Sequence, residues 1–276
     1  IQGAEIVVVP DDESGQVDVA ALESMLDERT RLVSLTHVPT QGGLVNPASE
    51  VGRLLRGTSV LYQVDACQSV GQLPVNVDEF GCDILSFTGR KFVRGPRGTG
   101  MVWASDTALA EMGNPAGVDG WGADWTEPMT ITPHGSARRF EPFEVFFAGK
   151  AGLATALDYA RSIGIDEIAA RNRKLSSRMR QNLAELPAVT LCDKGRELSA
   201  LTTFTIEGLD PSVVQEQLRK QGINVSTSGQ LSARLDFPDR GIEQVVRASV
   251  HYYNTEEEVD ELVAAVADLQ GPGAAG

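Results

Sequence analysis

The feature that most constrains this chain is a regular alternation. Between residue 4 and about residue 104, short β-branched runs ("AEIVVV", "RLVSLTHV", "SVLYQVDA", "CDILSFTG", "GMVWAS") are separated by stretches with helical spacing ("DVAALESMLDE", "PASEVGRLLRG"). Alternation at this short spacing predicts an α/β domain with a mainly parallel sheet. In such sheets ligands collect at the carboxyl ends of the strands. That rule singles out Asp65, which ends "SVLYQVDA", and Thr88, which ends "CDILSFTG".

Residues 113 to 148 break the alternation with many Gly, Pro and aromatic residues, and are expected to be a long irregular connection. Helices are predicted over about 149–163 and 166–186, the second stopped by Pro187. Beyond it, strand and helix patterns alternate again. A Thr255 to Glu258 capping box opens the final helix, and "GPGAAG" closes the chain as a frayed tail. The expected organisation is a large domain over 1–148 and a connecting helix with a small α+β domain over 149–276. A chain of 276 residues can bury cores of that size.

With 24 basic and 38 acidic residues the net charge is -14, which repels a nucleic-acid backbone. Arg90, Lys91, Arg94 and Arg97 form a local exception within eight positions. Cys67, Cys82 and Cys192 make an odd number without CxxC spacing, so neither a disulfide framework nor a cysteine zinc site is suggested, and a reducing cytoplasm fits. His134 and His251 are too isolated to build a metal site. No apolar run approaches membrane-spanning length, and the first residues lack a signal-peptide pattern, so a soluble protein is expected, one that begins mid-domain.

Lys91 follows directly on a strand end, between Arg90 and Arg94, where like charges would lower its pKa and make it a better amine nucleophile. The competing reading is a solvated lysine on a basic loop. Asp65 reads either as a carboxylate delivered to the sheet edge or as the N-cap of the next segment. Thr88 and Arg90 supply a hydroxyl and a guanidinium fork suited to phosphate. "GPRGTG" is a turn or a phosphate loop, but not the pattern of a nucleotide triphosphatase. Arg247 reads as a surface ion pair or an anion ligand. Cys67 is assigned to the core, His37 to a strand end with a structural or a binding role, and Trp121 and Trp125 to packing or a substrate entrance.

The segments "SLTHVPTQGGLVNPASEVG", "VDACQSVGQLPVNVDEFGCDILSFTGRKFVRGPRGTGMVW" and "VVRASVHYYNTEEEVDELV" together resemble the class V aminotransferase family. This pyridoxal-phosphate group of fold type I includes cysteine desulfurases and isopenicillin-epimerase-like proteins. The resemblance covers nearly the whole chain and implies an enzyme that binds pyridoxal 5'-phosphate and acts on an amino acid through a lysine Schiff base. It implies Lys91 as that lysine, Asp65 against the pyridine nitrogen and Gln68 near the phenolic oxygen. Thr88 and Arg90 would be phosphate ligands, and Thr40 would stand near the cofactor in place of a family asparagine. Arg247 would grip the substrate carboxylate. A homodimer is implied as well.

Three departures from the family shape the expected activity. "NVSTSGQLSARLDF" lacks the loop cysteine of desulfurases, Phe147 stands near an expected phosphate-reaching threonine, and a segment upstream of "GAEIVVVP" is absent. The resulting expectation is an epimerase/racemase-like or carbon-sulfur lyase-like enzyme rather than a cysteine desulfurase. The alternatives are a transaminase, a non-catalytic relative pairing with another chain, and a phosphate-sugar binding module.

Overall fold

The computed structural model describes residues 3–115 and 117–269, so the closing "GPGAAG" lies outside the described residues. In chain order the elements are α1 (Val19–Met25), β1 (Leu32–Thr36), α2 (Ala48–Leu55), β2 (Leu61–Asp65), α3 (Val77–Phe80), β3 (Ile84–Thr88), β4 (Gly100–Ala104) and α4 (Asp106–Glu111). They continue as β5 (Ala123–Glu127), β6 (Thr130–Pro133), α5 (Phe147–Ile163), α6 (Ile165–Ala184), β7 (Val189–Leu191), β8 (Leu201–Ile206), α7 (Pro211–Lys220), β9 (Ser226–Gly229), β10 (Gln244–Ser249) and α8 (Glu256–Asp268).

The first sheet runs β1-β2-β3-β4. β1, β2 and β3 are parallel, with Thr36 beside Asp65 and Asp65 beside Ser86, so their carboxyl ends share one edge. β4 returns antiparallel to β3, pairing Thr88 with Gly100. The stretch 89–99 is therefore a loop closing a hairpin at that edge, and Lys91 sits within it. Buried Tyr62 and Val64 face the apolar stripe of α2, where Ala48, Val51 and Leu55 recur at helical spacing. The hydroxyl of Tyr62 donates to the carbonyl of Ala48 at 3.0 Å.

The second sheet, β7-β8-β10-β9, is antiparallel. Its core takes Leu175, Met179 and Leu183 from α6, Val214 and Leu218 from α7, and Val259, Leu262 and Val266 from α8. α8 opens on the expected capping box of Thr255 and Glu258, and α7 on Asp210 followed by Pro211 at its first turn. Val38, Val45 and Phe92, all from the first half of the chain, pack into this same cluster.

Two sequence expectations need correction. "AEIVVV" forms no strand: residues 4–10 have no ladder partner among the described residues, and Ile6 is 91% exposed. β-branched residues favour a pleated, half-buried surface, and no neighbour in the described residues supplies one. The 113–148 connection, in turn, is not wholly irregular. β5 and β6 form an antiparallel hairpin pairing Trp125 with Ile131, and a 3-10 turn follows at Ala137–Phe140. Its surrounding glycines and prolines mask a pattern only two short strands long.

The two halves are stitched beyond β1. Gly43 accepts from Ser199 N at 2.6 Å, and Val45 N donates to Glu197 at 3.0 Å. A Cβ on Gly43 would come within 2.6 Å of Arg180 Nη2, so only glycine lets this loop reach α6. Arg180 itself is a buried keystone. Its Nε donates to Asp193 Oδ2 at 2.7 Å, and its Nη2 donates to the carbonyls of Ser199 and Leu201. Asp193 Oδ1 also accepts from Thr203 N at 2.8 Å and Thr203 Oγ1 at 2.6 Å.

Arg180→Ala strands a buried carboxylate and is expected to cost about 3–5 kcal/mol in urea unfolding, whereas Arg180→Met with Asp193→Leu recovers most of that loss. His37, at the end of β1, gives a second expectation. Its ring packs edge-on against Phe80 at 4.8 Å, and burial lowers its pKa from 6.5 to about 4. The unfolded chain takes up the proton below 6.5 while the native ring stays neutral down to about 4. Stability should therefore fall as pH drops through that window, and His37→Leu should flatten the slope by up to about 1.4 kcal/mol per pH unit.

Candidate active site

The loop 89–99 is held shut by its own backbone. Gly89 N donates to Thr99, Gly95 N to Gly89 at 2.7 Å, and Arg94 N to Lys91 at 2.8 Å. Gly71, at φ 93, has its missing Cβ 2.5 Å from the carbonyl carbon of Phe92, so the loop lies directly on its backbone. Phe92 sinks into the core of the second sheet. The Phe92 carbonyl meets His251 Nε2 at 2.8 Å, while His251 Nδ1 accepts from Tyr252 N at 2.8 Å. That pattern fixes a neutral ring with its proton on Nε2, in accord with the lowering of its pKa by burial.

Lys91 opens onto a cavity of about 690 Å³ whose wall also includes Thr40, Gln68, Arg90 and Arg247. These residues come from four places: the ends of β1 and β2, the loop after β3, and β10. Buried Gln68 donates through Nε2 to Thr40 Oγ1 at 2.8 Å. Arg247 donates through Nη1 to the Thr40 carbonyl and through Nε to Ser226 Oγ, each at 3.1 Å. Thr40 thus joins Gln68 to Arg247. No carboxylate pairs with Arg247 among the described residues, so it is not the surface ion pair that its sequence also allowed.

Asp65 and Thr88 stand at the ends of β2 and β3 but do not line that cavity. Asp65 Oδ1 accepts from Cys67 N at 2.8 Å, and Thr88 Oγ1 donates to the Thr99 carbonyl at 3.3 Å. Asp65 is close enough to act on Lys91. Burial is the main cause lowering the Lys91 pKa, with Cys67 and Asp65 opposing it and Arg90 and Arg247 adding to it. The expected neighbour Arg94 is replaced in this role by Arg247. Cys67, expected in the core, is half-buried beside Lys91. Burial first, then Asp65, keep its thiol protonated.

The donor set suits pyridoxal 5'-phosphate: an amine with a lowered pKa, a nearby carboxylate, a buried amide, and guanidinium groups free of acid partners. His251 and Tyr253, to which the sequence assigns no site role, line the cavity together with Arg94, and the adjacent aromatic run in "VHYYNT" is the signal available for them. His37, by contrast, is core, and Trp125 projects outward at 77% exposure. Phe147 starts α5 and is 67% exposed. Among the described residues no group of three His, Cys, Asp or Glu could hold a metal, and no helix is long and apolar enough to cross a membrane. A separate hollow of about 520 Å³ beside Cys192 and Arg240 has its arginine spent on Asp236 and the Cys192 carbonyl.

Comparison with known proteins bears on the fold and the family. The Aminotransferase class-V family description matches residues 1–262. The probable cysteine desulfurase of Methanothermobacter thermautotrophicus is 30% identical over 99% of this chain and 68% of its own length. The apo structure of the cysteine desulfurase from Thermococcus onnurineus NA1 matches at a TM-score of 0.87 and 28% identity, over 95% of this chain and 65% of that one. A variant of C-DES with glycine covalently linked to its PLP cofactor matches at 0.77 and 28%, over 91% of this chain and 63% of that one. The chain therefore spans about two thirds of these proteins, and only 39% of some other relatives. The fold is that of PLP fold type I.

These relatives overturn the expectation of an epimerase/racemase-like or carbon-sulfur lyase-like enzyme rather than a cysteine desulfurase. The missing cysteine is a local difference. It concerns a single segment in which Leu231 and Leu235 are 82% and 72% exposed and which does not line the cavity, whereas the likeness extends over nearly the whole chain.

His251→Phe removes the donor to the Phe92 carbonyl and is expected to cost about 1–3 kcal/mol. Because that bond anchors the loop, the amides of Arg94 and Gly95 should exchange with deuterium at least about tenfold faster in the variant.

Proposed function

We propose, for a chain that belongs to the class-V aminotransferase family, that Lys91 holds pyridoxal 5'-phosphate and that the site releases sulfur from L-cysteine. The observation that carries this reading is the shared cavity of Lys91 and Arg247, the latter without a carboxylate partner. An amine for an aldehyde and a guanidinium fork for a carboxylate are what an amino acid bound at its α-carbon requires.

When bound, the cofactor supplies an aldehyde that captures amines and a protonated ring that draws electrons from the substrate α-carbon. Asp65, at the end of β2 behind the cavity lining, would face the ring nitrogen and keep it protonated. Gln68, oriented by Thr40, would donate to the phenolic oxygen, and Arg90 would take the phosphate, joined by Thr88 once its hydroxyl leaves the Thr99 carbonyl. Arg247, with Nε spent on Ser226 and one Nη1 proton on Thr40, presents its remaining edge to the substrate carboxylate. Burial lowers the pKa of Lys91, so its amine is more often neutral and able to move a proton at the α-carbon. With the Cys67 thiol kept protonated and no cysteine in 224–237, sulfur leaves to thiols from outside the chain. The balance is L-cysteine plus two thiols giving alanine, sulfide and a disulfide.

The same reading divides the chain after residue 148, so that a substrate bridges Lys91 in the first part and Arg247 in the second. It makes the working form a homodimer, and it suits a reducing cytoplasm because the three thiols are free.

Incubation with pyridoxal 5'-phosphate should give a visible absorption band that Lys91→Ala loses, and L-cysteine with dithiothreitol should yield alanine and sulfide in equal amounts. Arg247→Ala should raise KM about 100-fold through loss of a charge-assisted fork. A coloured protein that forms no alanine would end the sulfur-release reading.

A further inference from the structure

Five cations line the cavity: Arg90, Lys91, Arg94, Arg97 and Arg247. No Asp or Glu lines it, although the chain carries a net charge of -14. None of the five takes part in an ion pair among the described residues. In the proposed function Arg90 would face the phosphate, Arg247 the substrate carboxylate and Lys91 the aldehyde. Arg94 and Arg97 are left over, and of the two only Arg94 has its guanidinium held by side chains among the described residues.

Arg94 is also the one described non-glycine residue with positive φ, at 61°. A left-handed arginine is costly unless its surroundings fix it. Here Nη2 donates to the Tyr252 hydroxyl. The guanidinium carbon lies 5.4, 5.1 and 5.2 Å from the ring centres of Tyr159, Tyr252 and Tyr253. The three rings hold the charge without neutralising it, and its Nε and Nη1 have no acceptor among the described residues. Arg94 is exposed, and with one edge of its guanidinium held by these rings and a hydroxyl it presents the other edge to an anion.

We infer that Arg94 selects substrates with a second anionic group on the side chain, so that the cavity prefers such L-amino acids to their neutral isosteres. For cysteine that anion is the thiolate. The inference rests on the preceding reading for the placement of Lys91 and Arg247, but not on the sulfur step.

The test compares L-aspartate with L-asparagine, and L-glutamate with L-glutamine, by titrating the visible band of the cofactor-loaded protein. The neutral-to-anionic Kd ratio is expected to be about 10 or more for one or both pairs in the wild type, as one partly screened charge contact supplies. It should fall to about 1–2 in Arg94→Gly, which accepts the left-handed backbone, and be partly kept in Arg94→Lys. A wild-type ratio near one, or a ratio unchanged in Arg94→Gly, overturns the inference. So does an Arg94→Gly protein that no longer takes up the cofactor, since the guanidinium then serves the phosphate. Should the wild type take up no cofactor, the preceding reading fails instead. The unloaded protein's thermal midpoint then decides alone: a rise with aspartate but not asparagine, absent in Arg94→Gly, supports the receptor, and equal shifts overturn it.

Discussion

Lys91 has a defined position because the chain on either side of it is trapped between two sheets. Phe92, its immediate neighbour, is a core residue of the second sheet, and the Phe92 carbonyl is held by His251 from the turn after β10. Behind the loop, Gly71 gives it a surface without a side chain. A lysine on a free loop would sample many positions and solvate its ammonium. Trapping limits both, so position and lowered pKa follow from the same packing.

The same seam brings the second sheet's arginine to the first sheet's edge. Arg247 is tied to Thr40, and Thr40 to Gln68, so residues far apart in sequence act as one hydrogen-bonded row. Arg180 and Asp193 secure the seam from beneath through a buried pair whose spare acceptors are filled. Stability and function therefore share a boundary. The acidic chain keeps its lining carboxylates out of this cavity, which lets a cluster of cations draw in anions against the overall charge.

Much of the first sheet could be read in advance. β2 and β3 show apolar runs ending in Asp65 and Thr88, and the last helix opens on the capping side chain of Thr255. The site was legible to the extent that "VDACQ" and "GRKFVRGPRGTG" mark strand ends. "AEIVVV" misled because β propensity states a preference for pairing without supplying a partner. The β5–β6 hairpin was hidden because four or five residues between glycines and prolines show too little alternation to count.

The sequence by itself determined the alternation of β1, β2 and β3 with helices, the charged cluster after β3, and the presence of an amine, a carboxylate and a guanidinium near strand ends, because these depend on local spacing and composition. Tertiary structure decided which of these groups meet. Arg247 rather than Arg94 adds to the lowering of the Lys91 pKa, Cys67 leaves the core for the site, and His251 becomes the anchor of the lysine loop. Those relations depend on how deeply each group is buried and on contacts across more than a hundred residues of chain, and no local pattern records either.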